Sequence, residues 1–360
     1  MEHFDFYHPI IIDDMKSIYS RRIDWNLFNN KTFFISGAYG MLASYIVFFL
    51  MYLNIYEKFN ITVIAQGRSK EKANYRFHDF FDNDNFLFTD ADILNDIHVD
   101  KKIDYIIHAA SPASPNFYLK KPIEVILPNS VGTYHLLNLA KTQKVEKFLY
   151  FSSVDIYGKT NSQNGVDEKC VGSIDTLDVH SCYGESKRLG ETLCSSYYRE
   201  YEVNSVIARI AHTYGPTMNV DEDPRVFADF MNCILNNKDI VVKSDGSAKR
   251  SFCYIADAVY AFMLLLLKGD FAEAYNVSNT DQFLSIRELA DIMCNICQNS
   301  IKAVFAQRSS NDNYIENELN KKNIFWENKL LDLGWNHEFT ASQGLERVYK
   351  FLCDTKQKEK

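Results

Sequence analysis

The sequence predicts an α/β protein, a doubly wound parallel sheet followed by a smaller α+β part. Three observations carry that reading. Short, almost continuously apolar runs alternate with stretches of helical spacing, the pattern of parallel strands covered on both faces. The first such run leads directly into Gly37-x-x-Gly40-x-x-Ala43, a glycine-marked turn that opens a helix. Beyond about residue 210 the alternation loosens, and strands and helices mix.

Residues 1–30 mix aromatic and charged side chains without a clear period. They read as an N-terminal extension packed on the rest, with a short helix near Asp13–Arg21. Thr32–Ser36 is the first strand, and its helix continues to Tyr56. Further strands are expected at Ile61–Ala65, Phe86–Phe88, Ile103–His108, Phe148–Ser152 and Ser205–Arg209. Helices are expected over Pro122–Lys141 and from Tyr183 to Tyr201, with right-handed crossovers. Pro216–Asp223 is a loop, Val226–Asn236 a helix and Ile240–Val242 a strand. Tyr254–Lys268 is a strand end running into a helix, Tyr275–Val277 a strand, and Ile286–Gln298 and Ala341–Phe351 are helices. Residues 31–210 thus read as a Rossmann domain with a segment returning at about 250–277. Residues 211–249 and 278–360 form the second, substrate domain.

Composition narrows the function. The 360 residues are 46% hydrophobic and 24% charged, as in ordinary folded proteins. A net charge of −8 argues against a general affinity for nucleic acid or anionic membranes. The apolar run Met41–Leu53 falls short of the ~20 residues a membrane span needs. The eight cysteines show no framework spacing and no secretory signal precedes them, so reduced thiols and a cytoplasmic location are expected. Cys294-x-x-Cys297 lies in a helical pattern without a second pair. It reads as packing, and no metal site is expected.

The turn after the first strand points to a dinucleotide. Gly37 permits the tight turn, Gly40 lets backbone approach a pyrophosphate, and Tyr39 and Met41 flank it. The helix that begins there offers N–H groups and a positive dipole end to phosphate. Arg68, after the second strand, suits a 2′-phosphate or is a solvated charge, which leaves NAD and NADP both open. Asp92 and Ile93 follow the third strand and suit an adenosine contact. Ala109, Ala110 and Ser111 follow the fourth, small residues where backbone must approach the cofactor.

The catalytic candidates lie on either side of the fifth strand's end. Ser153 directly follows that strand, and Tyr183 and Lys187 stand four apart on one helix face. A lysine cation beside the phenol is expected to lower its pKa toward neutrality, and Ser153 to hold the substrate hydroxyl beside it. Asp155 is a second carboxyl two residues after Ser153; capping of the turn is its alternative role.

These motifs together resemble the extended short-chain dehydrogenase/reductase family. The likeness rests on Gly37-x-x-Gly40-x-x-Ala43, Ser153 with Tyr157-Gly158, Tyr183-x-x-x-Lys187, Arg209 before Tyr214-Gly215-Pro216, Asn129-x-x-Gly132-Thr133 and Tyr275-Asn276-Val277. It covers roughly residues 31 to 350. Within that family the chain looks most like UDP-glucuronate decarboxylases. The shared features are Ala110-Ser111-Pro112-Ala113-Ser114-Pro115, Cys182-Tyr183 with Lys187-Arg188, and Gly246-Ser247 through Arg250-x-Phe252-x-Tyr254. The resemblance implies a retained NAD, with Asn129 among its contacts, that oxidises a nucleotide sugar at C4. The 4-ketone then allows decarboxylation, 4,6-dehydration or epimerisation. It implies substrate contacts from Ser111, Ser153, His212, Arg225 and Arg250, and a homodimer formed through the helices around Tyr183. The chain departs from the family at Val154, which cannot donate a proton, and at Asp155, shorter than the usual Glu by one carbon–carbon bond, ~1.5 Å. His212 stands where the family usually has Asn. A net ketosugar reductase and a non-catalytic dinucleotide-binding protein are the readings from other classes.

Overall fold

The computed structural model describes residues 3–113, 115–160, 162, 164–297, 301–306 and 324–357. Ser114 and Gln298, named above, lie outside the described residues, as do residues 307–323 of the expected second domain. The first half runs α1 (Pro9–Tyr19), β1 (Thr32–Ser36), α2 (Met41–Tyr56), β2 (Thr62–Gly67), α3 (Lys70–Phe77), β3 (Phe86–Asp90), β4 (Tyr105–His108), α4 (Pro115–Lys120), α5 (Pro122–Leu127) and α6 (Thr133–Gln143). It continues through β5 (Lys147–Ser153), α7 (Ser181–Tyr201), β6 (Ser205–Ile210), β7 (His212–Tyr214), α8 (Val226–Leu235), β8 (Ile240–Val242), β9 (Lys249–Tyr254) and α9 (Ile255–Lys268). The remainder is β10 (Glu273–Val277), β11 (Phe283–Ser285), α10 (Ile286–Ile296), β12 (Ala303–Phe305), α11 (Asn328–Asp332) and α12 (Ala341–Gln357).

Seven strands make one sheet in the order β10-β6-β5-β4-β1-β2-β3, and every neighbouring pair is parallel. Side chains alternate across it. Phe33, Ile35, Val63 and Ala65 face one core with α2 and α9, while Phe34, Ile64, Ile106 and Phe148 face another with α6 and α7. Because β1, β4 and β5 end at the same edge, Ser36 and His108 come out side by side there and Ser153 ends β5 three residues beyond them, where ligands of open α/β sheets bind. The apolar Met41–Leu53 run is the central part of α2 and is buried from Ala43 to Leu53. Among the described residues no helix is long and apolar enough to cross a membrane. All eight cysteines are free thiols.

Two expected helices differ from those found. The first begins at Pro9, earlier than expected, with His8 accepting from the Ile10 N–H as its cap. The stretch from Pro122 to Lys141 is not one helix. A wide π turn, Pro128–Gly132, separates α5 from α6. Pro128 has no N–H, and its ring would clash with the carbonyl four residues back in a regular helix.

The N-terminal extension is part of the core. Phe4, Phe6, Ile11, Met15, Ile18, Trp25 and Phe28 are buried. Two inward carboxylates fasten it. Asp14 accepts from the Tyr45 and Tyr254 hydroxyls and pairs with Arg347 on α12 at 2.6 Å. Arg21 donates to Asp257 on α9 at 2.8 Å, and Asp257 also accepts the Glu338 and Phe339 N–H groups. Removing Asp257 would strand the Arg21 guanidinium, whose only other carboxylate partner among the described residues, Glu338, is half exposed. Asp257→Ala is therefore expected to cost about 3 kcal/mol in urea denaturation. A loss under about 0.5 kcal/mol, the scale of a surface substitution, would show that the ion pair does not hold the extension.

Candidate active site

The β1 and β4 turns meet through bare backbone. Gly37 has φ +63°, and a Cβ on it would lie 2.7 Å from Ala110 Cα. An L side chain has neither the conformation nor the room. α2 begins at Met41 with Gly40 as its cap and no side-chain cap, so its first N–H groups and positive dipole end stay open to an anion. The Ser36 hydroxyl accepts from the Ala109 and Ala110 N–H groups at 3.2 and 3.3 Å. Its own proton then goes to His108 Nδ1, 2.9 Å away. Burial holds His108 neutral, with its pKa lowered to about 3. Next to these, the Ser111 hydroxyl is buried without a hydrogen-bond partner among the described residues. The Tyr39 ring lies over Gly67, and its hydroxyl accepts the Arg68 N–H. Arg68 pairs with Asp92 at 3.7 Å. Ile93 is buried against Gly132. A tight turn that excludes a side chain at Gly37, an uncapped helix start and an unsatisfied hydroxyl fit a dinucleotide.

The catalytic candidates gather at the end of β5. Ser153 caps the short 3-10 turn Val154–Tyr157, accepting the Asp155 N–H at 3.1 Å. The hydroxyl also lies beside Tyr183 and the Asp155 carboxyl and favours the ionised form of each. Tyr183 and Lys187 are both buried. Lys187 Nζ donates to Phe151 O at 2.6 Å and stands 5.7 Å from the Tyr183 ring centre. The structure corrects the expected electrostatics. Burial pushes the Tyr183 phenol up, the neighbouring Asp155 pushes it further, and only Ser153 and Arg225 oppose them. Lys187 does not act on the phenol as a strong cation, because burial lowers its own pKa to about 7. Desolvation beside Tyr183 likewise raises Asp155, although its side chain is solvent-exposed, with Ser153 and Arg250 opposing.

The expected substrate residues converge on this cluster. Arg225 and Arg250 both bear on His212, whose Nδ1 is buried without a hydrogen-bond partner among the described residues and whose pKa burial lowers to about 3. Arg250 also acts on Asp155, and Arg225 on Tyr183. Arg225 holds Asp223 through Nε and Nη2 at 2.5–3.0 Å, so it meets any further anion already half neutralised. Asn129 turns its amide to the Val125 carbonyl and the Ser186 hydroxyl, both 3.0 Å away. It ties the π turn to α7, and its Oδ1 has no hydrogen-bond partner among the described residues.

A sequence model of the NAD dependent epimerase/dehydratase family matches residues 33–278. UDP-glucuronic acid decarboxylase 4 of Arabidopsis thaliana is 32% identical over 316 residues, 88% of this chain and 67% of that protein. The chain belongs to the NAD dependent epimerase/dehydratase family. Solved structures agree in fold. UDP-glucose 4-epimerase of Thermotoga maritima superposes with a TM-score of 0.75 at 22% identity, over 90% of this chain and 99% of that one. UDP-glucuronic acid 4-epimerase of Bacillus cereus, in complex with NAD, gives 0.73 at 23% identity, over 91% and 100%.

For a member of this epimerase/dehydratase family, the turn geometry makes a direct prediction. Gly37→Ala places a methyl group against Ala110 and is expected to abolish saturable NADH binding in a fluorescence titration. Wild-type affinity in that variant would remove the turn from the cofactor site. The buried ammonium makes another. Below pH 7 its full cost of burial is present; between about 7 and 10.5 the unfolded chain binds the extra proton, so stability rises with pH. Lys187→Met, which removes this cost, is expected to exceed the wild type in thermal midpoint at pH 6, by a margin that narrows toward pH 9. A margin independent of pH would mean that Lys187 keeps an ordinary pKa.

Three features of the site go beyond what the sequence indicated. Tyr118 on α4 stacks on Tyr183, ring centres 5.0 Å apart and planes at 14°. Nothing in a six-residue helix announces such a contact. Glu191 is not the solvated charge its sequence suggests. It binds Arg209 through both oxygens at 3.0 and 2.7 Å and accepts from Ser152. Its spacing of four from Lys187 on α7 was the available signal. Arg188 is the third.

Proposed function

We propose that this protein binds NAD and a nucleoside diphosphate sugar, oxidises the sugar at C4 and decarboxylates a UDP-uronate. The observation that carries this reading is the assembly of Ser153, Tyr183 and Lys187 at the end of β5 with Asp155, Arg225 and Arg250 around it. The similarity to a UDP-glucuronic acid decarboxylase supports the sugar class. When bound, NAD accepts the C4 hydride and later returns it, and its oxidised ring brings a positive charge. Gly37, Gly40 and Met41 would hold its pyrophosphate, and Tyr39, Arg68, Asp92 and Ile93 its adenosine end. Ala109 to Ser111 would line its path, with Asn129 among its contacts. A 2′-phosphate would face the Asp92 carboxylate, which favours NAD over NADP.

Tyr183 takes the proton from the O4 hydroxyl, which Ser153 orients. Lys187 fixes the helix against the Phe151 carbonyl. Once C4 is a ketone, the C6 carboxylate is β to it and leaves as CO2, its bonding electrons passing into a C4 enolate that the Tyr183 phenol stabilises by donation. Asp155, its carboxyl raised toward the protonated form by desolvation beside Tyr183, returns a proton to C5. Arg225, Arg250 and His212, with Ser111, contact the diphosphate and sugar. Val154 is buried and apolar and supplies no acid for loss of a C6 hydroxyl. The deciding experiment incubates the protein with UDP-, dTDP-, GDP- and CDP-sugars, UDP-glucuronate among them, and reads product mass. Loss of CO2 is expected; loss of water or an unchanged mass with altered retention would replace this reading by dehydration or epimerisation.

The family resemblance and the exposed apolar residues Ile123, Val131, Tyr134 and Leu189 on the α5–α6 and α7 faces support pairing of two copies there. Light scattering is expected to give twice the 41.7 kDa chain mass.

A further inference from the structure

Arg188 follows Lys187 on α7, and its guanidinium is spent on backbone. Nε donates to Ile156 O at 2.6 Å, Nη2 donates to Gly172 O at 2.8 Å, and Nη1 pairs with Glu185 at 3.2 Å. Ile156 belongs to the 3-10 turn that also carries Asp155. The same turn rests on α7 one helical turn earlier. A Cβ on Gly184 would lie 3.0 Å from Asp155 O and 3.1 Å from Ile174 Cδ1. Behind the turn, Lys159 and Ser173 exchange backbone hydrogen bonds of 2.8 and 3.0 Å, which keeps the 172–174 strip against it. One side chain thus joins the helix that carries Tyr183, the turn that carries Asp155 and the strip that covers both.

We propose that Arg188 is the positioning residue for Asp155, fixing that carboxyl against Tyr183 for the steps that follow C4 oxidation. This rests on the reading in which Asp155 returns the C5 proton. The chemistry of the guanidinium suits the task. Its planar fork reaches two carbonyls in different directions at once, which a lysine ammonium on a flexible stem does not reproduce. Charge-assisted bonds of this kind are stronger than neutral ones. Asp155 makes the demand acute. With a side chain one carbon–carbon bond shorter than Glu, it has less reach to absorb a drift of the turn, and misplacement by about 1 Å costs roughly 10²-fold in rate.

The test is a double-mutant cycle on UDP-glucuronate decarboxylation. Arg188→Lys and Asp155→Asn are each expected to lower kcat by roughly 10²-fold. The double variant is expected to be no slower than Asp155→Asn, within about twofold. Arg188→Lys should keep the wild-type NADH affinity and the rapid appearance of reduced nicotinamide on mixing, neither of which survives a general loosening of the fold. If the two losses multiply, Arg188 does not act through Asp155 and the inference is wrong. If Asp155→Asn alone turns over like the wild type, the role of Asp155 falls first and this inference with it. Should Arg188→Lys fold poorly, Gly184→Ala displaces the same turn from its other side; the same lack of additivity with Asp155→Asn is expected, and multiplied losses are again fatal.

Discussion

Tyr183→Phe is expected to lower turnover of the nucleotide sugar by about 10³-fold while leaving NADH affinity within about threefold of wild type, the span assigned to a positioned acid–base group. The substitution removes one oxygen from a buried ring. The stack on Tyr118 and the packing of α7 are kept, since both depend on the ring. What is lost is the atom proposed to take the O4 proton and later to stabilise the enolate. The electrostatics make this residue sensitive. Burial and Asp155 both favour the phenol over the phenolate, and Lys187, lowered to about 7, offsets them little. The proton therefore leaves Tyr183 only with help from the ligands, and removing the oxygen leaves no substitute on that side of Ser153. Tyr118 is the one neighbouring phenol stacked there, so Tyr118→Phe is the control: it should cost far less. Product formation by Tyr183→Phe within a few fold of wild type would end the proposed mechanism.

The sheet was legible because parallel strands covered on both faces are apolar along most of their length, and runs such as Ile103–His108 and Phe148–Ser152 leave few other options. The glycine turn was legible because its backbone geometry excludes side chains. What escaped was decided by partners far apart in the chain. Asp14 looks like a surface residue of an amphipathic helix until Arg347, Tyr45 and Tyr254 close around it. β7 has only three residues, and it is a strand because His212–Tyr214 pairs in parallel with Phe252–Tyr254. At the site, Ser153, Tyr183 and Lys187 were placed correctly as neighbours by strand end and helical spacing. The effect of Lys187 on Tyr183 was not, because spacing says nothing of burial, and burial sets the charge of both.

Asp155 separates what this protein shares with its family from what is its own, and a pair of substitutions decides its role. Asp155→Asn keeps the side chain's size and its bond to Ser153 but can no longer give up a proton. C4 oxidation, assigned in the proposed mechanism to Tyr183 and Ser153, should proceed, so reduced nicotinamide should appear on mixing with UDP-glucuronate. The later steps should slow by roughly 10²-fold, and the sugar should accumulate or escape as a ketone detectable by mass. Asp155→Glu keeps a carboxyl but extends it by ~1.5 Å, and should retain more activity than Asp155→Asn because the longer, flexible stem can still bring an acid to C5. The direction of that shift matters. A carboxyl pushed above its usual range keeps its proton to higher pH and is better fitted to donate it at C5, so the acid-dependent step should fade as pH rises through the raised value. In Asp155→Asn that limb of the pH profile should vanish. If it persists, the proton comes from elsewhere, and Asp155 serves only to close the turn that Ser153 caps.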